Sequence, residues 1–228
     1  MANHFENLRH HLPNLGSMSI LDVGSGRGKF LVAAAKAGAH VSGIEPYEKY
    51  ITLAKERGTK EGFELDIKQG DAEHLPFDNE TFDFVNLSEV IEHVESPERA
   101  LLEVRRVLKP GGYAYVSVPN RFGLIDQHFH LPFLNWMPRS WSEHFIGFFG
   151  RHKDYSLGNG RQKISEMYYD TFRGASTLFK KSGFGPYDLR VMRLKQAHLS
   201  LLLPIYFVFR IFFWDSFHFL IKKNAEQK

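Results

Sequence analysis

A buried strand that runs straight into a glycine-rich turn restricts the fold of this chain more than any other feature. Residues 20–23 read Ile-Leu-Asp-Val, and glycine follows at positions 24, 26 and 28. Glycine allows a tight turn and lets the backbone approach a ligand closely. Residues 29–36 then have a helical pattern. The order of strand, turn and helix predicts the ligand-binding edge of a parallel α/β sheet, with backbone N–H groups of the turn facing the ligand.

The spacing of the glycines distinguishes this turn from the dinucleotide-binding fingerprint. That fingerprint has its third glycine where this chain has Lys29, and an acid, Asp22, precedes the first glycine here. The turn resembles motif I of the class I S-adenosylmethionine-dependent methyltransferases. The resemblance implies that Gly24, Ser25 and Gly26 bind the cofactor, while Asp22 organises the loop or meets the methionine ammonium.

Strand and helix patterns alternate after this turn, as in a doubly wound sheet. Strands are predicted at 41–45, 64–69, 82–87, 113–118, 189–194 and 217–221, and helices at 47–57, 96–108 and 171–181, the last capped by Asp170. The resemblance implies an α/β, Rossmann-like, seven-stranded sheet that is mostly parallel with an antiparallel last strand. It also implies an inserted lid and an apolar C-terminal helix.

The ends of the next three strands carry residues that match further methyltransferase motifs. Glu45 ends the second strand, where its carboxylate can accept hydrogen bonds from both ribose hydroxyls, and Pro46 follows it. Asp71, with Ala72 beside it, follows the third strand and can accept from the exocyclic amine of adenine. Leu87 ends the fourth strand and would cover one face of the cofactor. Ligands of open α/β sheets bind at this edge, so these residues form the predicted cofactor site.

A short acidic segment with a histidine follows the fourth strand, and its role has three interpretations. In a helix, Glu89, Glu92 and His93 would share one face and suit Mg²⁺ or Mn²⁺. The segment resembles the Glu-x-x-Glu-His element of quinone-biosynthesis O-methyltransferases and of small-RNA 2′-O-methyltransferases. That resemblance implies a metal that orients the acceptor hydroxyl, with a fourth ligand from His128 or His130. The alternatives are a metal-free His93 that acts as general base or binds the acceptor, and a purely structural role.

Two regions outside the cofactor half are expected to meet the acceptor or a partner. Residues 121–167 are rich in aromatic residues and histidine, which predicts a lid over the acceptor; its basic residues at 121, 139 and 151–153 could contact an anion. Residues 197–214 are almost entirely apolar but too short to span a bilayer. They could lie in a membrane interface, contact a second copy of the chain in a homodimer, close the acceptor pocket or fill the core.

Length and composition restrict the remaining possibilities. The length of 228 residues predicts a single domain over 1–228, with a cofactor-binding core at 18–120. The absence of cysteine excludes disulfides and cysteine-ligated metal, and it fits a cytoplasmic protein, with attachment at the inner membrane face left open. The first residues are polar, which argues against a signal peptide. A net charge of +3 is too small to indicate nucleic acid as a partner.

The sequence therefore predicts a methyltransferase that uses S-adenosylmethionine and acts on a hydroxyl. The acceptor is expected to be a small molecule, a lipid-linked glycan or a quinone precursor, with His93 as the catalytic residue. Two alternatives are RNA 2′-O-methylation, which the Glu-x-x-Glu-His element favours, and a non-catalytic cofactor-binding subunit that uses its apolar segment as an interface.

Overall fold

The computed structural model describes residues 4–149 and 163–224, which form one seven-stranded sheet with helices on both faces. The strands are β1 (Ser19–Val23), β2 (His40–Glu45), β3 (Asp66–Gln69), β4 (Phe82–Leu87), β5 (Leu108–Pro119), β6 (Phe184–Asp188) and β7 (Ser216–Lys223). The α-helices are α1 (His4–Arg9), α2 (Lys29–Lys36), α3 (Glu48–Lys60), α4 (Pro97–Val107), α5 (Arg139–Phe148), α6 (Phe172–Lys181), α7 (Leu189–Gln196) and α8 (Leu203–Phe213). Short 3-10 helices occupy Pro13–Ser17, Leu134–Trp136, Ile164–Glu166 and Ser200–Leu202. The basic residues at 151–153 lie outside the described residues.

The strand order is β3-β2-β1-β4-β5-β7-β6. Neighbouring strands from β3 to β5 are parallel, while β7 runs antiparallel to both β5 and β6. The predicted fold class, a mostly parallel α/β sheet with an antiparallel last strand, is confirmed. The parallel pairing brings the ends of β1, β2 and β4 to one edge of the sheet, because Asp22 pairs with Asn86 and Val23 with Ile44.

The two faces of the sheet bury separate sets of side chains, as the two-residue period of a strand requires. On one face, Leu21 belongs to a core that also contains residues of α4 and α6, such as Val104 and Phe179. On the other face, Ile20 belongs to a core shared with α1, α2 and α7. Burial on both faces explains why apolar residues occupy both odd and even positions in β1 and β4.

The predicted sixth strand at 189–194 is wrong, because these residues form helix α7. The strand lies one segment earlier, at Phe184–Asp188, where Gly183 ends α6 with a positive φ and the chain enters the sheet directly. Asp188 then starts α7, since its Oδ1 accepts hydrogen bonds from the amides of Arg190 and Val191. A side-chain cap of this kind stabilises a helix start and overrides the apolar pattern of the segment.

The helix at Phe172–Lys181 has its N-cap one residue later than predicted. The side chain of Thr171 accepts from the amide of Gly174, whereas the predicted cap, Asp170, accepts from the amide of Thr171 and the hydroxyl of Tyr168. Asp170 therefore ties the helix start to the preceding segment and does not cap it.

Candidate active site

The turn between β1 and α2 requires glycine for two independent reasons. Gly24, Gly26 and Gly28 all have positive φ angles, which L-residues with side chains rarely adopt. A Cβ on Gly24 would also lie 2.7 Å from Cγ2 of Val90, so a side chain at this position would clash. The turn therefore brings bare backbone to the ligand-binding edge of the sheet.

The amides of this turn are bonded within the protein. The amides of Gly24 and Ser25 both donate to the carbonyl of Ile44, at 2.8 and 3.0 Å. The amide of Gly26 donates to Oε2 of Glu45 at 2.8 Å. The prediction that the N–H groups of the turn face a ligand is wrong for Gly24, Ser25 and Gly26, because acceptors of β2 bind these three amides. Close approach of the backbone is what the glycines provide.

Glu45 is held rigidly at the end of β2. It is buried, and its Oε1 accepts from the amide of Tyr47 at 3.2 Å while Oε2 takes the Gly26 amide. Burial raises the pKa of Glu45, and the two backbone hydrogen bonds partly oppose that rise. Pro46 beside it is exposed, and its carbonyl accepts from Nε2 of Gln69. Because a carboxylate oxygen can accept more than one hydrogen bond, Glu45 retains capacity for ligand hydroxyls.

A polar chain that the sequence did not predict connects β1, β4 and α1. Nδ2 of Asn86 donates to Oδ1 of Asp22 at 2.7 Å, and Oδ1 of Asn86 lies 3.1 Å from Nε2 of His4. Burial raises the pKa of Asp22 to about 7, which the hydrogen bond from Asn86 partly opposes and the nearby Glu45 adds to. The sequence signal for Asn86 was a polar residue among the apolar residues at the end of β4, whereas His4 had no such signal.

We expect this buried carboxyl to make the stability of the ligand-free protein depend on pH. Because the pKa of Asp22 is raised on folding, the native state binds more protons than the unfolded state between about pH 4 and pH 7. The free energy of unfolding should therefore fall as pH rises through that range and level off above it. Asp22→Asn should remove this contribution. Denaturant titrations of both proteins across this range measure the difference, and parallel curves would contradict the assignment.

A cavity of about 720 Å³ opens beside the glycine turn. Its lining includes His4, Asp22, Gly24, Ser25, Asn86 and Ser88, together with Arg27, Lys29, Phe30, Val32 and Arg57. Oγ of Ser25 is buried and has no hydrogen-bond partner within the described residues. A volume of this order accommodates a nucleoside-sized ligand, and the unpaired hydroxyl of Ser25 and the buried carboxyl of Asp22 offer polar contacts. The residues present therefore fit S-adenosylmethionine.

The other predicted cofactor residues differ in their solvent exposure. Asp71 is exposed just after β3, and its Oδ1 accepts from the amide of Glu73 at 2.8 Å. Ala72 and Leu87 are buried and belong to the apolar core that backs the sheet. The side chain of Leu87 is not part of the cavity lining, so the predicted contact with a cofactor face has no support from its position.

The acidic segment after β4 is a series of turns, which corrects the predicted helical arrangement. Glu89 has a φ of 57°, in the left-handed region, so helical spacing does not apply to Glu89, Glu92 and His93. Glu89 is exposed, and its Oε1 accepts from Nε2 of Gln127 at 3.2 Å. It does not belong to the cluster formed by the other two residues.

Glu92 and His93 meet His128 of the segment after β5. One potential ligand atom from each of the three lies within 4.8 Å of the others. Nε2 of His128 is 3.5 Å from Oε1 of Glu92, and both side chains are almost completely buried. Neither carboxylate oxygen of Glu92 has a hydrogen-bond partner among the described residues. His130, the other predicted candidate, is exposed and outside the cluster.

Asp126 builds the loop that carries His128. Its Oδ1 accepts from the amides of His128 and Phe129, and its Oδ2 accepts from the hydroxyl of Tyr169. The carbonyl of Glu92 in turn accepts from the amide of Tyr168. These contacts fix the segment after β5 against the turn after β4, so two elements distant in sequence present one polar cluster.

Comparisons with known proteins identify similar methyltransferases. Residues 21–116 match a family model described as a methyltransferase domain. The chain is 38% identical over 105 residues to the ubiquinone biosynthesis O-methyltransferase of Maricaulis maris, which covers 46% of this chain and 41% of that protein. The corresponding protein of Marinobacter nauticus is 37% identical over 111 residues, with 47% of each chain covered. The chain thus spans less than half the length of the curated relatives it matches.

Solved structures share the fold over nearly the whole chain. A methyltransferase from Methanosarcina mazei superposes with a TM-score of 0.61 and 22% identity, covering 95% of this chain and 98% of that one. One from Mesorhizobium loti has a TM-score of 0.61 and 19% identity, with 97% of each chain covered. The chain therefore has the fold of these S-adenosylmethionine-dependent methyltransferases. Residues 21–116, which match the methyltransferase-domain family model, contain both the glycine turn and Glu45.

Proposed function

We propose that this protein transfers a methyl group from S-adenosylmethionine to a hydroxyl of a small or lipid-linked acceptor, such as a quinone precursor. The observation that carries the proposal is the cavity lined by Asp22, Gly24 and Ser25, at a glycine turn whose Gly26 amide donates to Glu45. The names of the curated relatives support O-methylation. A fold alone would not support it, since a cyclase shares the fold with a TM-score of 0.61.

The cofactor supplies a methyl group that its sulfonium already activates, so the protein has mainly to position the acceptor. Asp22 and Glu45 would hold the cofactor's polar groups. The acceptor hydroxyl would lie near the cluster of Glu92, His93 and His128. His93 is the most accessible of the three, since the other two are buried. It would take the hydroxyl proton as the oxygen gains the methyl group.

We further propose that Glu92, His93 and His128 bind a divalent ion. A buried carboxylate without hydrogen bonds is unfavourable, and coordination would satisfy both oxygens of Glu92. The donor set of one carboxylate and two imidazoles suits Mn²⁺ or Zn²⁺ better than Mg²⁺, which prefers oxygen ligands. Such an ion would orient the acceptor hydroxyl and favour its ionisation.

Methyl-labelled cofactor incubated with the purified protein and fractionated cell extract tests the proposal. We expect label in an organic-extractable acceptor, loss of transfer with chelator and recovery with Mn²⁺. If chelator leaves transfer unchanged, the reaction needs no divalent ion and His93 acts as the base alone. If no fraction accepts label, the proposed function is wrong. In calorimetry, Glu92→Gln should weaken Mn²⁺ binding about tenfold or more. The matched control, Glu89→Gln, should bind as the parent does.

A further inference from the structure

Helix α8 is oriented with its polar side chains towards the protein. Tyr206 is buried, and its hydroxyl donates to Oδ2 of Asp188 at 2.7 Å. Arg210, four residues later on the same face, lies 3.9 Å from that oxygen and stacks over the ring of Phe172. Surface helices of globular proteins have the opposite arrangement, with apolar residues inward. The contacts of Asp188 therefore hold α8 in an inverted orientation.

The outward side of α8 and of the turn before it is apolar. We call it the α8 face, and it consists of Leu201, Ile205, Val208, Phe209, Phe212 and Phe213. The exposed fraction is 92% for Leu201, 64% for Val208 and 61% for Phe213. Contiguous apolar surface of this kind marks a binding surface on a folded protein.

The α8 face continues onto the segment after β5 and is fixed to it. The rings of Phe212 and Trp136 lie 5.3 Å apart, and Phe133, which is also exposed, contacts Trp136. The carbonyl of Phe212 accepts from the amide of Leu124, and Nδ2 of Asn120 donates to the carbonyls of Ile211 and Trp214. The apolar surface is thus a rigid platform that joins the segment carrying His128.

The charge of the segment that contains the α8 face indicates its partner. No acidic residue occurs from 189 to 214, while Arg193 and Lys195 are exposed at the end of α7, directly before the α8 face. Basic residues beside exposed aromatic and aliphatic side chains complement an anionic lipid surface. A symmetric contact between two copies would instead bring two sets of these cations to one interface.

The length of α8 restricts how it can meet a bilayer. Its 11 residues rise roughly 16 Å, about half of the ~30 Å hydrocarbon thickness. Among residues 4–149 and 163–224, no helix has the length and apolarity needed to cross a membrane. A helix of this length with one apolar side can lie within the plane of the interface.

We propose that the α8 face, with Phe133 and Trp136, docks this protein onto an anionic lipid bilayer. Insertion of the apolar side chains would leave Tyr206 and Arg210 in place against Asp188, so docking requires no rearrangement of the fold. It would also bring the segment that carries His128 to the lipid surface. This inference rests on the exposed surface and its charge, and it does not depend on methyl transfer.

Co-sedimentation of the whole protein with vesicles tests the docking surface without any acceptor. We expect binding to vesicles of phosphatidylcholine mixed with phosphatidylglycerol, weaker binding to phosphatidylcholine alone, and loss of the difference at high salt. The double variant Leu201→Glu/Val208→Glu should bind about tenfold less tightly or worse. Arg193→Glu/Lys195→Glu should lose the preference for phosphatidylglycerol.

The matched control is Leu102→Glu, which replaces a leucine that is 51% exposed on α4. It should bind vesicles as the parent does, and unchanged cofactor affinity shows that each variant is folded. Vesicle binding that Leu201→Glu/Val208→Glu leaves intact would overturn the proposal, as would no binding by the parent. If the parent is instead a dimer that does not bind vesicles, and the double variant is a monomer, then the α8 face contacts a second copy of the chain.

Discussion

Replacing Glu45 by alanine is expected to weaken the affinity for S-adenosylmethionine by roughly tenfold or more, the free energy of one charge-assisted hydrogen bond. Two losses act together. The ligand hydroxyls lose their acceptor, and the amides of Gly26 and Tyr47 lose the carboxylate that orders the glycine turn. Isothermal titration calorimetry with the cofactor or its demethylated product measures the change directly.

Two further variants separate these contributions. Glu48→Ala removes an exposed acid three residues later, in the first turn of α3, and should leave cofactor affinity unchanged. Glu45→Gln keeps one carbonyl oxygen that can accept from the Gly26 amide, so its affinity should lie between those of the parent and Glu45→Ala. If Glu45→Ala binds the cofactor as tightly as the parent, β2 does not provide the ribose contact.

Truncation of Phe219 to alanine is expected to lower the free energy of unfolding by about 3–5 kcal/mol, the usual loss for a fully buried phenylalanine. Phe219 has no solvent exposure, and its ring centroid lies 4.9 Å from that of Phe172 and 5.0 Å from that of Phe179. These contacts join β7 to α6, so truncation would leave a cavity between two elements that pack closely. The loss is a large part of the 5–15 kcal/mol that typically stabilises a domain.

Phe213→Ala provides the matched comparison. Phe213 is the same residue type but is exposed on α8, so its truncation should change the free energy of unfolding by less than about 0.5 kcal/mol. Urea titration followed by circular dichroism compares the variants. A small effect at Phe219 would contradict the close packing between β7 and α6.

The sequence predicts the cofactor half well because local signals and tertiary contacts agree there. Helix α2 begins and ends at the predicted residues, and the first four strands deviate by two residues at most, since turn residues bound them and β1 and β4 are buried along most of their length. After residue 120, tertiary contacts decide the structure. The segment 189–194 is rich in apolar residues, yet the cap from Asp188 makes it a helix.

The candidate site shows the same division. Glu45 and the glycines could be found from their positions at strand ends. The partnership of Glu92 with His128 could not be predicted in detail, because it depends on the turn that Asp126 builds between distant segments. The left-handed φ of Glu89, which removes it from the cluster, carries no sequence signal, since glutamate rarely adopts that conformation.

The place of α8 in the chain has a consequence for how related proteins can diverge. Strands β6 and β7 are antiparallel neighbours, and a two-residue hairpin would suffice to join them. Residues 189–215 occupy that connection instead, with α7 and α8 inside it. Such a connection can lengthen, shorten or change its surface chemistry without altering strand order or the glycine turn. The sheet, which would hold the methyl donor, and helix α8, which would bind the lipid surface, can therefore evolve as separate modules.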